Sequence, residues 1–197
     1  MIFGASRVIF LHLPKTAGNS IQRVLEPASD DRIVAKPRQD GVDSFGVSGP
    51  ITPKKHAGLD SYAARLGPGF SEFRVAIGCR NPLDRALSGY FSRSKGWKLD
   101  RFLRALQRMR TAEDMLQVGG VVRRPDWVIR FESLGQDFAA FVSQAGLPVD
   151  PASLGHANKT SITSDEIEEA RQDPVVRRAV QTKFAIDYEL FGYPHEA

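Results

Sequence analysis

Residues 10–25 read FLHLPKTAGNSIQRVL: an apolar run stops at Pro14, a lysine and a glycine sit among small hydroxyl and amide residues, and Ile21, Val24 and Leu25 then recur at helical spacing. Val8 to Leu13 is apolar apart from His12. That is the pattern of a strand buried on both faces, hence parallel and central. A tight loop leading from such a strand into a helix gathers backbone N–H groups and the positive end of the helix dipole at the carboxyl edge of the sheet. The loop PKTAGNS adds Lys15, the donors of Thr16, Asn19 and Ser20, and Gly18, which permits close backbone approach. This composition suits a phosphate or a sulfate; the plainer alternative is an ordinary turn with a solvated lysine. It is not a Walker loop, whose lysine directly precedes the helix, because Lys15 comes before Gly18.

A second buried strand, FRVAIGC, ends at Arg80 and runs into NPLDRALSGYF. Asn81 is placed as helix cap, Pro82 at the first helical position and Asp84 in the first turn. Arg80 therefore also falls at a strand's carboxyl end beside a helix N-terminus, with Ser88 two turns along. The plainer readings are an Arg80–Asp84 ion pair and an ordinary helix serine. Taken together, the two loops define two anion sites on one sheet edge, suited to a ligand charged at both ends of a nucleoside. Neither later strand ends in an acidic metal ligand: VAIGC leads to Arg80, and Glu132 in VIRFE lies past an arginine. That argues against a magnesium-dependent nucleotide triphosphatase.

Outward from these motifs, Asp60 is read as the N-cap of a short helix, SYAARL, closed by Gly67. A basic helix spans Leu99 to Met109, a T-x-x-D capping box opens TAEDMLQVGG, and DWVIRF is a third strand. SLGQDFAAFVSQAG is an amphipathic helix stopped by Gly146, and helical pattern fills the chain from Ser164 to Tyr193. Strands alternating with helices give an α/β fold with a parallel sheet and helices on both faces. At 197 residues the chain suits one domain, 1–197, with a polar, Gly- and Pro-rich excursion at about 27–55 expected to be flexible.

A net charge of +4 allows an anionic ligand without choosing one. The lone Cys79 excludes an intramolecular disulfide framework and, within an apolar run, reads as a buried, inert thiol. The N-terminus lacks a signal-peptide cleavage site, and no apolar run approaches the roughly 18 residues of a membrane span. A cytoplasmic protein is expected.

The same residues resemble the sulfotransferases that use 3′-phosphoadenosine 5′-phosphosulfate (PAPS), especially the branch acting on carbohydrates. FLHLPKTAGNSI is similar to that family's 5′-phosphosulfate loop, PKTGGTS, and CRNPLDRALSGYF to its 3′-phosphate motif, R-N-P-x-D-R-x-x-S-x-Y. The likeness extends to KHAGLDSYAARLG, VIRFESLGQDF, ANKT and DYELFGY. Two motifs in the right order make it specific. It implies a P-loop-like fold in which Lys15, Thr16, Ala17, Gly18, Asn19 and Ser20 hold the 5′-phosphosulfate and Arg80 and Ser88 hold the 3′-phosphate. The likeness of ANKT implies that Asn158 and Lys159 add to PAPS binding; a solvated Lys159 is the plainer reading. Ala17 stands where the family has glycine and Asn19 where it has threonine, and an alanine methyl crowds the phosphate if that position needs positive φ.

Sulfuryl transfer is expected to follow the logic of phosphoryl transfer, in which positioning and fixed positive charge stabilise the leaving oxygen. Lys15 is the candidate for that charge. His56, which opens the segment similar to the family's K-H-A stretch, is the candidate base for the acceptor hydroxyl; the plainer reading is a loop histidine. His12 reads as a hydrogen-bonded core residue. No metal is expected, PAP is the product, and the acceptor is a carbohydrate or glycoconjugate hydroxyl. Between Tyr90 and Arg124, nine Lys and Arg outnumber three Asp and Glu. That stretch reads as an acceptor face with Tyr90, Phe91 and Trp97, or as a solvated helix over an aromatic core; no nucleic-acid motif accompanies it. A non-catalytic PAP-binding module and, more distantly, a P-loop-like phosphotransferase are the alternatives.

Overall fold

The structure is a computed structural model that describes residues 1–30, 56–94, 96–155 and 165–195. Four strands form the main sheet: β1 (Ile2–Phe3), β2 (Val8–Leu11), β3 (Arg74–Cys79) and β6 (Trp127–Arg130), in the order β1-β2-β3-β6. β2, β3 and β6 run parallel, with Leu11 opposite Ile77 and Cys79 opposite Arg130, and β1 pairs antiparallel on the edge. All three strands expected from the apolar runs are present. The first ends at Leu11 rather than Leu13, so that His12 and Leu13 already belong to the loop.

Side-chain alternation along each strand divides the core between two helical layers. Ile9, Leu11, Val75, Ile77 and Cys79 meet α2 (Leu59–Leu66), α5 (Ala112–Leu116) and α9 (Ala185–Phe191). Val8, Phe10, Ala76 and Ile129 meet α1 (Gly18–Leu25) and α6 (Leu134–Ala145). Each fully buried aliphatic or aromatic side chain contributes about 1.5–3 kcal/mol, so both faces hold the sheet firmly. The result is an α/β fold with a mostly parallel sheet flanked by helices. A third cluster unites α3 (Pro82–Phe91), α4 (Leu99–Gln107), α7 (Asp165–Gln172) and α8 (Pro174–Lys183) around Leu87, Tyr90, Phe102, Leu106 and Val180.

Three local expectations need correction. The N-cap of α2 is Gly58, not Asp60, which lies in the first turn and accepts from the Gly119 amide at 3.1 Å. α4 stops at Gln107, with Arg108 as its C-cap. QVGGVV is not helical: Gly119 and Gly120, both at positive φ, turn the chain between β4 (Gln117–Val118) and β5 (Val121–Val122). The aromatics of the basic stretch are core rather than an acceptor platform: Tyr90 is buried, its hydroxyl receives the Lys98 amide at 3.1 Å, and Phe91, Trp97 and Phe102 pack around it. The excursion expected at 27–55 begins with a single 3-10 turn, Glu26–Ala28, and from 31 onward lies outside the described residues. Asn158 and Lys159 also lie outside them.

Candidate active site at the carboxyl edge

The loop between β2 and α1 turns through two left-handed residues, Lys15 at φ 72° and Ala17 at φ 61°, with Ala17 as the N-cap of α1. Left-handed backbone costs an L-residue about 1–2 kcal/mol, and such strain gathers where backbone amides are turned toward a ligand. Among the described residues the amides of Lys15, Thr16, Ala17 and Gly18 have no acceptor, while those of Ser20 and Ile21 close onto the Ala17 carbonyl at 2.9 and 3.2 Å. The positive φ that would make an alanine methyl crowd a ligand is therefore present at Ala17.

Two side chains shape the loop from beneath. The Thr16 hydroxyl is buried and donates to the Leu13 carbonyl at 2.8 Å, which leaves the backbone amide as the group Thr16 can offer a ligand. His12 lies with its ring against Gly18 and its Nδ1 3.0 Å from Gln22 Oε1 on the first helix. The expectation of a buried, hydrogen-bonded His12 agrees with this. Gln22 Nε2 is buried without a partner among the described residues.

Lys15 reaches across toward α3, its Cγ 3.8 Å from where a Cβ on Gly89 would stand. Burial pulls its ammonium below the usual lysine value, and the positive charges of Arg80 and Arg93 pull it further. Lys15 has no carboxylate partner among the described residues. Three cations thus share one neighbourhood without neutralising it.

Arg80 follows β3 directly and is half-buried, its guanidinium carbon 4.1 Å from the centre of the Phe131 ring. Stacking of this kind fixes the plane of a guanidinium while leaving its edges open. Burial pulls Arg80 down as well, against Asp84 and Glu132, and its Nε is buried without a partner. The ion pair weighed for it goes elsewhere, since Asp84 bonds Arg171 at 2.5 Å. Asn81 caps α3 as expected, accepting from the Leu83 and Asp84 amides at 2.9 and 3.2 Å. Ser88, half-buried on the same helix, has a hydroxyl with no partner among the described residues.

His56 completes the edge. Its Nδ1 lies 2.8 Å from the His12 carbonyl oxygen, and its ring meets the His12 ring edge-on at 4.4 Å. A carbonyl only accepts, so Nδ1 carries the proton and the lone pair of the neutral ring sits on Nε2. No protein-family model, curated protein or solved structure matches this chain. The chemistry of the edge has to be argued from its own residues.

Those residues are in part the ones marked in the sequence. The fold puts Lys15, Arg80 and His56 around the carboxyl ends of two neighbouring parallel strands, β2 and β3. Asn19 and Ser20 open the first turn of α1, with Asn19 exposed. Arg93, in the stretch read from the sequence as an acceptor face or a solvated helix, sits in the turn just past α3, its amide on the Tyr90 carbonyl at 3.0 Å, and its charge acts on Lys15. Arg110, from the same basic stretch, donates instead to the His56 carbonyl. No spacing rule connects residues 54 positions apart. Among the described residues no cluster of three or more His, Cys, Asp or Glu could hold a metal ion, and no helix is long and apolar enough to cross a membrane.

Proposed function

We propose that this protein transfers a sulfuryl group from PAPS to a hydroxyl of a carbohydrate or glycoconjugate acceptor, releasing PAP. The observation that carries the reading is the convergence of Lys15, Arg80 and Arg93, none of them in a salt bridge among the described residues, on a strained loop of open amides beside a histidine held with its lone pair on Nε2. Such a surface is built for an anion of high charge, and a neutral imidazole beside it suits deprotonation of a hydroxyl.

In this mechanism the loop amides and Lys15 hold the phosphosulfate, and Arg80 and Ser88 hold the 3′-phosphate. The acceptor oxygen attacks sulfur in line with the bridging oxygen. One S–O bond forms as the other breaks, the acceptor's proton passes to His56 Nε2, and the electron pair of the broken bond goes to the 5′-phosphate oxygen of PAP. Lys15 stabilises the charge that gathers on that oxygen, which is greatest in the transition state. A cytoplasmic setting and a P-loop-like relationship belong to the same proposal.

One observation favours a second reading, a module that binds PAP without catalysis: an alanine occupies a left-handed position, φ 61°, within the cradle loop. Calorimetry with PAP and with ATP plus magnesium, together with labelled PAPS and a panel of glycans and alcohols, separates the readings. PAP binding with label transfer is the expected result. PAP binding with no transfer to any acceptor assigns the binding module, and ATP binding without PAP binding overturns both.

A further inference from the structure

Arg110 lies in the connection between α4 and α5 and touches no part of the anion cradle, yet each of its polar ends is committed. Its guanidinium donates through Nη1 to the His56 carbonyl and through Nη2 to the Asp114 carbonyl at 2.7 Å. Its own carbonyl accepts from Arg85 Nη1 at 2.8 Å. Arg85 is in turn paired at 2.5 Å with Asp187, both almost wholly buried, and the other Asp187 oxygen takes the Ala112 amide at 2.7 Å. Thus Arg110 is anchored from behind by a buried ion pair joining α3, α5 and α9, and it grips His56 from in front.

His56 lies outside any helix or strand, two residues, Ala57 and Gly58, before α2, so its backbone has no helical hydrogen bond to hold it and the Arg110 guanidinium supplies a bond to its carbonyl. Its ring bonds through Nδ1 to the His12 carbonyl, and its backbone carbonyl is held by Arg110. Loss of the second bond loosens the backbone that presents the ring to the His12 carbonyl, the group that selects its tautomer. Guanidinium suits the task because its planar fork reaches two carbonyls at once and stays charged at every working pH.

We infer that Arg110 is the positioning residue of the site: through the His56 carbonyl it fixes the orientation and tautomer of the imidazole, so that Nε2 faces the acceptor hydroxyl. The role in transfer rests on the sulfuryl-transfer reading; the positional claim does not. Arg110 bonds His56, Asp114 and Arg85 and none of Lys15, Arg80 or Ser88 among the described residues, so its loss acts on the base and leaves the anion cradle intact.

The test uses Arg110→Ala, with Arg110→Lys as the conservative variant and Arg110→Gln as a neutral one that can still donate. Long-range ¹H–¹⁵N spectra of the full chain report the His56 tautomer without any need for turnover. The expected result is a wild-type ring protonated at Nδ1, a mixed tautomer in Arg110→Ala, and partial recovery in Arg110→Lys. PAP affinity should change less than twofold, while kcat falls at least tenfold and the acid limb of its pH profile moves. An unchanged tautomer in a folded Arg110→Ala overturns the proposal, as does an equal loss of PAP affinity and kcat. If wild type transfers no sulfate, the spectra still decide the positional claim while the sulfuryl-transfer reading fails alone. Should Arg110→Ala not fold, Arg110→Gln carries the same comparison.

Discussion

Thr16 occupies the space that Gly78 leaves open: a Cβ on this glycine of β3 would stand 2.8 Å from Thr16 Oγ1. The cradle loop therefore rests on the neighbouring strand, and the absence of a side chain at one position of β3 sets the height of the amides above the sheet. Since Thr16 is buried and its hydroxyl is tied to Leu13, it cannot simply swing aside.

Gly78→Ala should consequently cost about 1–3 kcal/mol, the usual range for overfilling a packed site, and should weaken PAP binding by lifting the loop. Thr16→Ala alone should cost about 1 kcal/mol through the lost hydrogen bond. The double variant removes the atom that clashes, so its cost should be smaller than the sum by about 1 kcal/mol or more. A denaturant double-mutant cycle measures this coupling, and strict additivity would contradict the contact.

Ala17 offers the opposite experiment. At φ 61° it pays for a left-handed backbone that glycine adopts freely. Glycine also gains entropy in the unfolded chain, and the methyl's packing against the α1 and α6 core is lost. The net expectation for Ala17→Gly is a gain of about 0.5–1 kcal/mol in urea unfolding, accompanied by tighter PAP binding. A clear loss of stability would mean that the methyl packs for more than the strain costs.

How far the site is legible in the sequence follows from the reach of each signal. Apolar runs mark β2 and β3 because strands covered on both faces admit few polar residues, WVI marks the edge strand β6, and Asn81-Pro82 marks α3 because capping is local chemistry. The strand ends then bring Lys15 and Arg80 together through parallel pairing alone. What escaped is set by contacts across the fold. The two-residue β1 is too short to show a period, and the hairpin of β4 and β5 around Gly119-Gly120 has strands of two residues each, too short to alternate visibly. Arg93 and Arg110 belong to the site through helix geometry and a backbone carbonyl, neither of which leaves a mark in residue spacing.

The charge crowding at Lys15 predicts a trade between stability and function. Its folded value lies below the ordinary 10.5, mainly through burial and then through Arg80 and Arg93. Below the folded value the ammonium is charged in both states and the cost of crowding it is fully present. Between the folded value and 10.5 the unfolded chain binds more protons, so stability rises with pH across that window. Lys15→Met removes the cost and should unfold at a higher midpoint than wild type at pH 7, while losing sulfuryl transfer. Its advantage should shrink in high salt, which screens the repulsion, and on adding PAP, which stabilises wild type more. A variant less stable than wild type at low salt would show that the lysine stem's packing outweighs the repulsion.

Cys79 gives the alkaline counterpart. It ends β3 wholly buried, with Sγ 3.4 Å from the Tyr193 hydroxyl, and burial pushes its thiol from 9.0 up to about 12. The folded thiol keeps its proton after the unfolded one has lost it. The stabilisation is therefore complete below pH 9.0 and disappears as pH rises toward 12. Three units correspond to roughly 4 kcal/mol at most. Tyr193, likewise raised by burial, pulls in the same direction and donates to Glu132 at 2.8 Å. Cys79→Ala should flatten the decline of stability above pH 9 relative to wild type, and urea midpoints between pH 8 and 11 measure the difference. In the folded protein burial keeps the thiol protonated at pH 8, so a thiol reagent should label Cys79 at the rate of unfolding and not before. Rapid labelling of the folded protein would show the thiol to be open to solvent.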